Sequence, residues 1–326
     1  MTANLETPAT LAGAPPAAAA EGPRRIGRYA VLGTLGSGGM GVVYEGYDEQ
    51  LGRKVAIKRL NHRRGGSSAH GRSLREAQAL ARLAHPNVVA VHEVLEADEQ
   101  VFIVMERVAG RTLRAWLAER RPGRADVLEA LAQAGRGVAA AHAAGLVHRD
   151  FKPDNIMVGD DGRVRVMDFG LARATDTIER DAEVDTTLQS GTNLLIVPVT
   201  VAGTQLGTPG YMAPEQYLGL AADARSDIFG FCVVLFEALH GRRPFVGRDT
   251  VEVREATLRG RIEPVVGGDV PAWLDAVVRR GLAASPAARW PSMAALLDAL
   301  ARDPIARRRR LARTAGVVTL AGALAA

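Results

Sequence analysis

The sequence contains very little cysteine and, outside its C-terminal end, no excess of charge. Cys232 is the one cysteine among 326 residues, which excludes a disulfide framework and a cysteine-based zinc site. A reducing compartment is the simplest expectation. The hydrophobic fraction of 47% and the charged fraction of 24% are ordinary for a folded soluble protein. Composition therefore excludes a wholly disordered, collagen-like or coiled-coil chain.

The net charge comes from one short segment. Residues 302–313 contain six arginines and one aspartate, and this net charge of +5 equals that of the whole chain. The high pI is therefore no sign of a basic binding face on the folded part, and we expect no nucleic-acid binding.

The two ends of the chain differ from its middle. Residues 1–28 are rich in Ala and Pro without apolar periodicity, which predicts a disordered arm. Residues 302–313 resemble a basic juxtamembrane segment, and 314–326 form a short apolar tail. As a helix the tail would span about 20 Å, against a hydrocarbon core of about 30 Å. It is a truncated transmembrane segment, a weak surface anchor, or a frayed tail with solvated arginines.

The middle of the chain changes from a strand pattern to a helix pattern. Strands are predicted over Tyr29–Leu35, Val42–Tyr47, Val55–Leu60, Val88–Leu95 and Val101–Glu106, with one helix over 72–84. Helices are predicted over Leu113–Arg120, Val127–Ala144, Asp227–His240, Val251–Arg259, Trp273–Ala283 and Ser292–Ala301, and a hairpin around Asp160-Asp161-Gly162. Because Asp227–His240 is almost wholly apolar, we expect a helix buried on all sides, with Cys232 as inert packing.

A glycine cluster lies between the first two predicted strands. Residues 35–43 contain Gly-x-Gly-x-x-Gly, which also occurs in dinucleotide-binding folds. Such a fold would open a helix here, whereas a strand and then Val55-Ala56-Ile57-Lys58 follow. Glycines let backbone N–H groups approach phosphates, and Lys58 adds a positive charge. A half-buried lysine needs an anion, which Glu76 can supply. The alternative is a solvated lysine and a solvated glutamate.

The stretch 148–155, His-Arg-Asp-Phe-Lys-Pro-Asp-Asn, carries the most chemistry. Asp150 can accept a hydroxyl proton, Lys152 can neutralise a phosphoryl group in transfer, and Asn155 can bind a metal. Asp168 follows at the end of the predicted hairpin. Mg²⁺ prefers oxygens from one or two carboxylates plus substrate phosphates, which predicts Mg²⁺ (or Mn²⁺) on Asn155 and Asp168. The alternative is a polar loop between a helix and a strand.

In this order the motifs resemble those of eukaryotic-type protein kinases, specifically the bacterial Hanks-type serine/threonine kinases. The matching features are the glycine loop at 36–41, Lys58, Glu76, His-Arg-Asp at 148–150, Asn155, Asp-Phe-Gly at 168–170, Ala213-Pro214-Glu215, Asp227 and Arg289. The resemblance covers about residues 29–301. It implies an α+β, bilobal kinase fold with a small β-rich N-lobe at 29–105 and a larger helical C-lobe at 106–301.

The resemblance also implies an ATP site and the role of each residue in it. The ATP-binding residues would be Leu35, Gly36, Ser37, Gly38, Gly41, Val43, Ala56, Lys58, Glu76, Met105, Glu106 and Val108. Among them Lys58 would bind the phosphates and pair with Glu76, Met105 would be the gatekeeper, and Glu106–Val108 the hinge. The catalytic residues would be Asp150, Lys152 and Asn155, and the metal ligands Asn155 and Asp168. An apolar spine would comprise Leu80, Val91, His148 and Phe169, and Arg289 would pair with Glu215.

The segment from Asp168 to Glu215 is longer than this family usually shows. The resemblance implies autophosphorylation there, and the expected sites are Thr200 and Thr204, whose phosphate would neutralise Arg149. Thr208 is expected in the substrate platform, in contact with Asp150. The alternative is a solvated, Thr-rich linker.

The function implied is an ATP-dependent serine/threonine protein kinase of bacterial signalling, activated by its own autophosphorylation. ATP and protein substrates are the expected partners, and no feature indicates an oligomeric state. The kinase domain would be cytoplasmic, and the Arg cluster would tether it to the anionic inner face of the membrane. A pseudokinase scaffold without turnover is the alternative; Lys58, Asp150, Asn155 and Asp168 are all present, which disfavours it. A kinase-fold enzyme acting on small molecules is a third hypothesis.

Overall fold

The computed structural model describes residues 25–38, 41–60, 77–97, 100–169, 208–265 and 269–302. Several predicted features lie outside the described residues: the arm up to residue 24, Glu76, Gly170, Thr200, Thr204 and the tail from residue 303.

The N-terminal lobe is a six-stranded antiparallel sheet with strand order β1-β2-β3-β4-β6-β5. Its strands are β1 (Arg25–Ile26), β2 (Tyr29–Gly38), β3 (Gly41–Asp48), β4 (Arg53–Leu60), β5 (Val91–Ala97) and β6 (Gln100–Glu106), and helix α1 is described over 77–81. Alternation along β4 sends Val55 and Ile57 into a core within this lobe, whereas Ala56 belongs to the core shared with the second lobe. Lys58 therefore falls on the face that looks toward the second lobe.

The prediction of a disordered arm over residues 1–28 is wrong at its last residues. Arg25 and Ile26 pair with Ala30 and Tyr29 as a short strand, and Ile26 is buried in the N-lobe core. The Arg25 guanidinium also lies 2.9 Å from the Glu49 carboxylate. A two-residue strand is too short to show an alternating pattern, so composition alone did not indicate it.

The C-terminal lobe is helical and carries a small second sheet. Its helices are α2 (Leu113–Arg120), α3 (Arg124–Ala143), α4 (Pro214–Tyr217), α5 (Ala224–His240), α6 (Thr250–Leu258), α7 (Ala272–Gly281) and α8 (Met293–Ala301). The sheet orders β7 (Gly110–Thr112), β8 (Ile156–Gly159) and β9 (Val164–Val166). Every residue of α5 from Ser226 to Phe236 is buried, which confirms the prediction of a helix buried on all sides over this span, whereas 237–240 are only partly buried.

The two lobes are joined through β9. Val89 N donates to the Val166 carbonyl at 2.9 Å, and Val166 N donates to the Asn87 carbonyl at 2.9 Å. This connection brings the end of β9, where Asp168 lies, under the N-lobe sheet that carries Lys58. None of the described helices is long and apolar enough to span a bilayer.

Candidate active site

The buried Asp227 of α5 accepts hydrogen bonds from the backbone of the loop after α3. One Asp227 carboxylate oxygen accepts from His148 N and the other from Arg149 N, both at 2.7 Å. His142 Nε2 also lies 2.7 Å from Asp227. Arg149 has a φ of +66°, a left-handed conformation that non-glycine residues seldom adopt. Two charge-assisted hydrogen bonds hold this turn and thereby fix the position of Asp150.

The predicted catalytic residues share one hydrogen-bonded cluster. Lys152 Nζ donates to Asp150 Oδ2 and to Thr208 Oγ1, both at 2.7 Å. Asn155 Nδ2 donates to the Asp150 carbonyl at 2.9 Å and to Asp150 Oδ2 at 3.2 Å. Thr208 thus reaches Asp150 through Lys152. Both of these bonds to the Asp150 carboxylate use Oδ2.

Lys58 meets Asp168 across the junction of the two lobes. Their side chains are 4% and 18% exposed, and Lys58 Nζ lies 2.8 Å from Asp168 Oδ1. A buried ammonium group is costly without a counter-charge, and Asp168 supplies one. Asp168 has a φ of +63°, a second left-handed residue that directs the carboxylate at the end of β9.

Asp168 is oriented by the burial of its neighbour Phe169. The Phe169 ring packs on the His148 ring with centroids 4.7 Å apart, and His148 Nε2 lies 3.0 Å from the Met167 carbonyl. Leu80, Val91 and Phe169 line one small pocket together with Met105. The four residues of the expected apolar spine are therefore connected.

The strands of the N-lobe bring several predicted ATP-binding residues onto neighbouring positions. Val43 pairs with Lys58 across β3 and β4, and Ala56 pairs with Met105 across β4 and β6. At the turn between β2 and β3, Gly41 has a φ of +130°, which requires glycine. The remaining positions of the loop, Leu35, Gly36, Ser37 and Gly38, are exposed residues at the end of β2.

The segment after β6 is fixed by backbone and side-chain bonds. Glu106 N donates to the Ala90 carbonyl at 2.8 Å. The Glu106 carboxylate lies 3.0 Å from the buried Arg165 of β9, a contact absent from the sequence predictions. Val108, two positions further on, packs against the shared core. Glu106 is thereby held from both lobes.

A second buried ion pair joins Glu215 of α4 to Arg289, which precedes α8. Arg289 binds both Glu215 carboxylate oxygens, at 2.7 and 2.8 Å, which confirms the pair that the family resemblance implies. Burial alone would raise the pKa of Glu215, but the hydrogen bonds from Arg289 and Ser226 outweigh it, and the net pKa is lowered. Glu215 is thus held ionised.

One cluster beside the catalytic loop is missing from the sequence predictions. Arg114 of α2 makes two hydrogen bonds to Asp154, both 2.7 Å long, and a third to the Tyr211 hydroxyl at 3.2 Å. The Tyr211 hydroxyl donates to Glu237 of α5 at 2.5 Å. Sequence separations of 26 to 97 residues leave no local pattern by which this cluster could be found.

The oxygen atoms of Asn155 and Asp168 suit a magnesium ion in the presence of phosphates. The Asn155 amide nitrogen donates to Asp150, so the carboxamide oxygen is the atom of this side chain that would serve as a metal ligand. Asp168 supplies a carboxylate. Asn155 precedes β8 and Asp168 follows β9, so both residues lie at the open end of the β8–β9 hairpin, where Met167 N donates to the Asn155 carbonyl at 2.9 Å. One carboxylate and one amide oxygen, completed by phosphate oxygens, are the hard ligands that Mg²⁺ accepts.

Comparison with known proteins places the chain in a family. Residues 29–296 match the protein kinase domain. The chain is 35% identical over 291 residues to serine/threonine-protein kinase PknA of Mycobacterium tuberculosis, covering 86% of this chain and 62% of the relative. It is 37% identical over 284 residues to serine/threonine-protein kinase PknL of the same organism, covering 85% and 66%. The chain thus matches just under two thirds of the length of these relatives. It belongs to the protein kinase family and resembles the bacterial Hanks-type serine/threonine kinases within it.

Proposed function

We propose that this protein is a serine/threonine protein kinase, which transfers the γ-phosphoryl group of ATP to serine and threonine hydroxyls of other proteins. The main support is the arrangement of Asp150, Lys152 and Asn155 in one hydrogen-bonded cluster, together with the buried Lys58–Asp168 pair. Membership of the kinase family and the names of the similar proteins support the same reaction.

On the acceptor side, Asp150 orients the substrate hydroxyl and accepts its proton at Oδ1. Lys152 and Asn155 hold Oδ2 and fix the carboxylate in one orientation. Lys152 also carries a positive charge next to the position where the phosphoryl group arrives, and Thr208 orients Lys152. Positioning and electrostatic stabilisation account for most of the rate of such a reaction, because the protein forms no covalent bond.

On the nucleotide side, Lys58 binds phosphate oxygens, with Glu76 as its further partner. Backbone N–H groups of the glycine loop at 36–41 cover the phosphates. The purine ring would lie among Leu35, Val43, Ala56, Met105 and Val108, and backbone groups of Glu106–Val108 would bind its edge. Asn155 and Asp168 would hold Mg²⁺ or Mn²⁺, which neutralises charge on the phosphates when bound. Excess chelator should therefore abolish transfer, and full activity in chelator would contradict this assignment.

The experiment that tests the proposal uses γ-labelled ATP with the purified chain. Acidic and basic generic acceptor proteins are supplied in parallel, and the labelled product is hydrolysed to identify the phosphorylated amino acid. We expect label on serine and threonine. ATP binding without transfer to any acceptor, or to the chain itself, would instead favour the pseudokinase scaffold. Label on a small molecule alone would favour the small-molecule kinase.

We also propose self-activation through Thr200 and Thr204. Phosphothreonine carries a charge of about −1.5 to −2 at neutral pH, which suits a site near the Arg149 guanidinium. Mass spectrometry of active enzyme should find phosphate on one of these threonines, and the double alanine variant should be less active. An active preparation with both threonines unmodified would exclude the mechanism.

A cytoplasmic kinase domain tethered at the inner face of the membrane is the proposed location. The arginines at 307–310 would each contribute about 1 kcal/mol near an anionic surface. The full chain should cosediment with phosphatidylglycerol vesicles at low salt, and replacement of these four arginines by glutamine should prevent it. A chain that stays in solution under these conditions would contradict the tether.

A further inference from the structure

The Arg114 cluster consists of Arg114, Asp154, Tyr211 and Glu237 and lies beside the catalytic loop. Asp154 follows Lys152 by two positions, and Tyr211 follows Thr208 by three. Lys152 and Thr208 are hydrogen-bonded to each other, so the cluster continues outward from the place where an acceptor hydroxyl meets Asp150. We therefore expect the neighbouring side chains of a peptide that presents its hydroxyl to Asp150 to lie near this cluster.

The cluster is accessible from solvent. The side chains of Arg114 and Asp154 are 46% and 43% exposed, and Glu237 is half-buried. Both side chains of the Arg114–Asp154 pair are therefore accessible to a bound peptide, and the pair itself adds little to stability at such exposures. The two carboxylates, Asp154 and Glu237, are the kind of groups that attract a lysine or arginine of a substrate.

Arg114 already occupies both of these carboxylates. It forms a two-pronged pair with Asp154, and its hydrogen bond to the Tyr211 hydroxyl connects it to Glu237. The Arg114 guanidinium also lies 4.0 Å from the Glu237 carboxylate, so one arginine faces both acidic groups.

A second arginine adds positive charge to the same surface. The guanidinium groups of Arg114 and Arg243 lie 6.0 and 5.9 Å from the centre of the Tyr211 ring. Arg243 also donates to the Pro209 carbonyl at 3.1 Å, next to Thr208. A basic substrate residue would meet two arginines and would have to displace a bidentate pair. An acidic residue would meet their remaining donors.

We propose that Arg114 is a specificity-determining residue, which neutralises the carboxylates beside the acceptor site and makes the kinase prefer acidic or neutral residues over basic ones next to the phosphorylated serine or threonine. This inference rests on the proposed kinase function. It predicts that the preference for Glu over Arg in the substrate depends on the charges of Arg114 and Asp154. Removing the Arg114 charge should weaken this preference, and removing the Asp154 charge should strengthen it.

The test compares peptides with one threonine in an alanine background. Each peptide carries one Glu, Arg or Ala at one of three positions on either side of the threonine, and kcat and KM are measured for each. For wild type we expect kcat/KM to be higher for Glu than for Arg at one or more positions. Arg114→Gln should shift this ratio toward Arg by about two- to fivefold, mostly through KM, as expected for partly exposed ion pairs.

Two further variants make the test decisive. Asp154→Asn frees Arg114 and should shift the ratio toward Glu, opposite to Arg114→Gln. Arg111→Gln is the matched control, because Arg111 is a nearby arginine that pairs with the exposed Glu119 and should leave the ratio unchanged. An unchanged ratio in both cluster variants, a shift of both in the same direction, or an equal loss for all peptides would overturn the inference and leave the kinase function standing. No transfer by wild type to any peptide or generic acceptor would overturn the kinase function itself.

Discussion

Two buried ion pairs among the described residues, Lys58–Asp168 and Glu215–Arg289, differ in how completely their groups are hydrogen-bonded. Arg289 binds both oxygens of Glu215, donates to three backbone carbonyls and stacks over Phe229 at 4.9 Å. Asp168 lies 2.8 Å from Lys58 through one oxygen, and its side chain keeps 18% of its exposure. The first pair is closed within the fold, whereas the second opens toward the space between the lobes.

The difference between the pairs separates stability from activity. A closed pair has all its donors and acceptors matched, so removing one partner leaves a buried charge unpaired and destabilises the fold. An open pair keeps atoms available for a ligand, so removing one partner costs binding or catalysis more than stability. The predictions below test this separation, from the largest expected effect to the smallest.

The largest effect on activity is expected at Asp150, which belongs to the same candidate active site as the open Lys58–Asp168 pair. Asp150→Asn retains the shape of the side chain but cannot accept the proton of the acceptor hydroxyl, so kcat should fall by about 10²- to 10⁴-fold. The melting temperature should remain close to that of wild type, because Asn can still accept from Lys152. Steady-state kinetics and thermal melts on the same preparations measure both quantities. A variant that keeps more than a few per cent of wild-type kcat would contradict the assignment of Asp150.

The next effect concerns the closed pair. Arg289→Met leaves the Glu215 carboxylate buried without its partner, which should destabilise the protein by about 3–5 kcal/mol. Urea denaturation followed by circular dichroism measures this loss. Replacement of both residues by apolar ones of similar size should cost less than Arg289→Met alone. If the single variant were as stable as wild type, the pair would not be structural.

A smaller, pH-dependent effect follows from the lowered pKa of Glu215. Its value in the folded state lies below the usual 4.5, so its contribution to stability is fully present above pH 4.5 and is lost as the pH falls through the folded value. The stability difference between wild type and Glu215→Gln should therefore be largest near neutral pH and should shrink on acidification below pH 4.5. Glu129→Gln, at an exposed position, serves as the control. A difference that grows toward low pH would contradict this sign.

The smallest effect is expected at Cys232. This residue is fully buried in α5, and burial raises the pKa of its thiol. Iodoacetamide should leave the native protein unmodified and its activity unchanged, and should alkylate the thiol only in denaturant. Stoichiometric alkylation under native conditions, detected by mass spectrometry, would show that α5 is accessible.

The sequence predicted regular elements better than contacts between them. Helix α2 was predicted with the bounds Leu113–Arg120 found in the structure, and the apolar composition of Asp227–His240 predicted a buried central helix. Strand β7 and helix α4 were missed, since three or four residues are too few to establish a period. Short elements of this kind are recognised only through their tertiary partners.

The candidate site was predicted as a set of residues but not as a geometry. The motifs identified Asp150 and Asp227, yet nothing local indicated that Asp227 accepts from two backbone amides of the catalytic loop. The Arg114–Asp154 pair was missed for the same reason, because its members lie 40 positions apart. Side-chain pairs between distant segments depend on the folded arrangement and leave no periodic trace in the sequence.

The comparison of the two ion pairs is tested most directly by parallel measurements on Lys58→Met and Arg289→Met. Transfer of phosphate from γ-labelled ATP and the free energy of unfolding are determined for both variants and for wild type. We predict that Lys58→Met loses at least about 10²-fold in kcat/KM with little change in stability, as expected when one electrostatic contact to a reacting group is removed. Arg289→Met should lose stability while its folded fraction still transfers phosphate. Near-wild-type transfer by Lys58→Met would contradict the account.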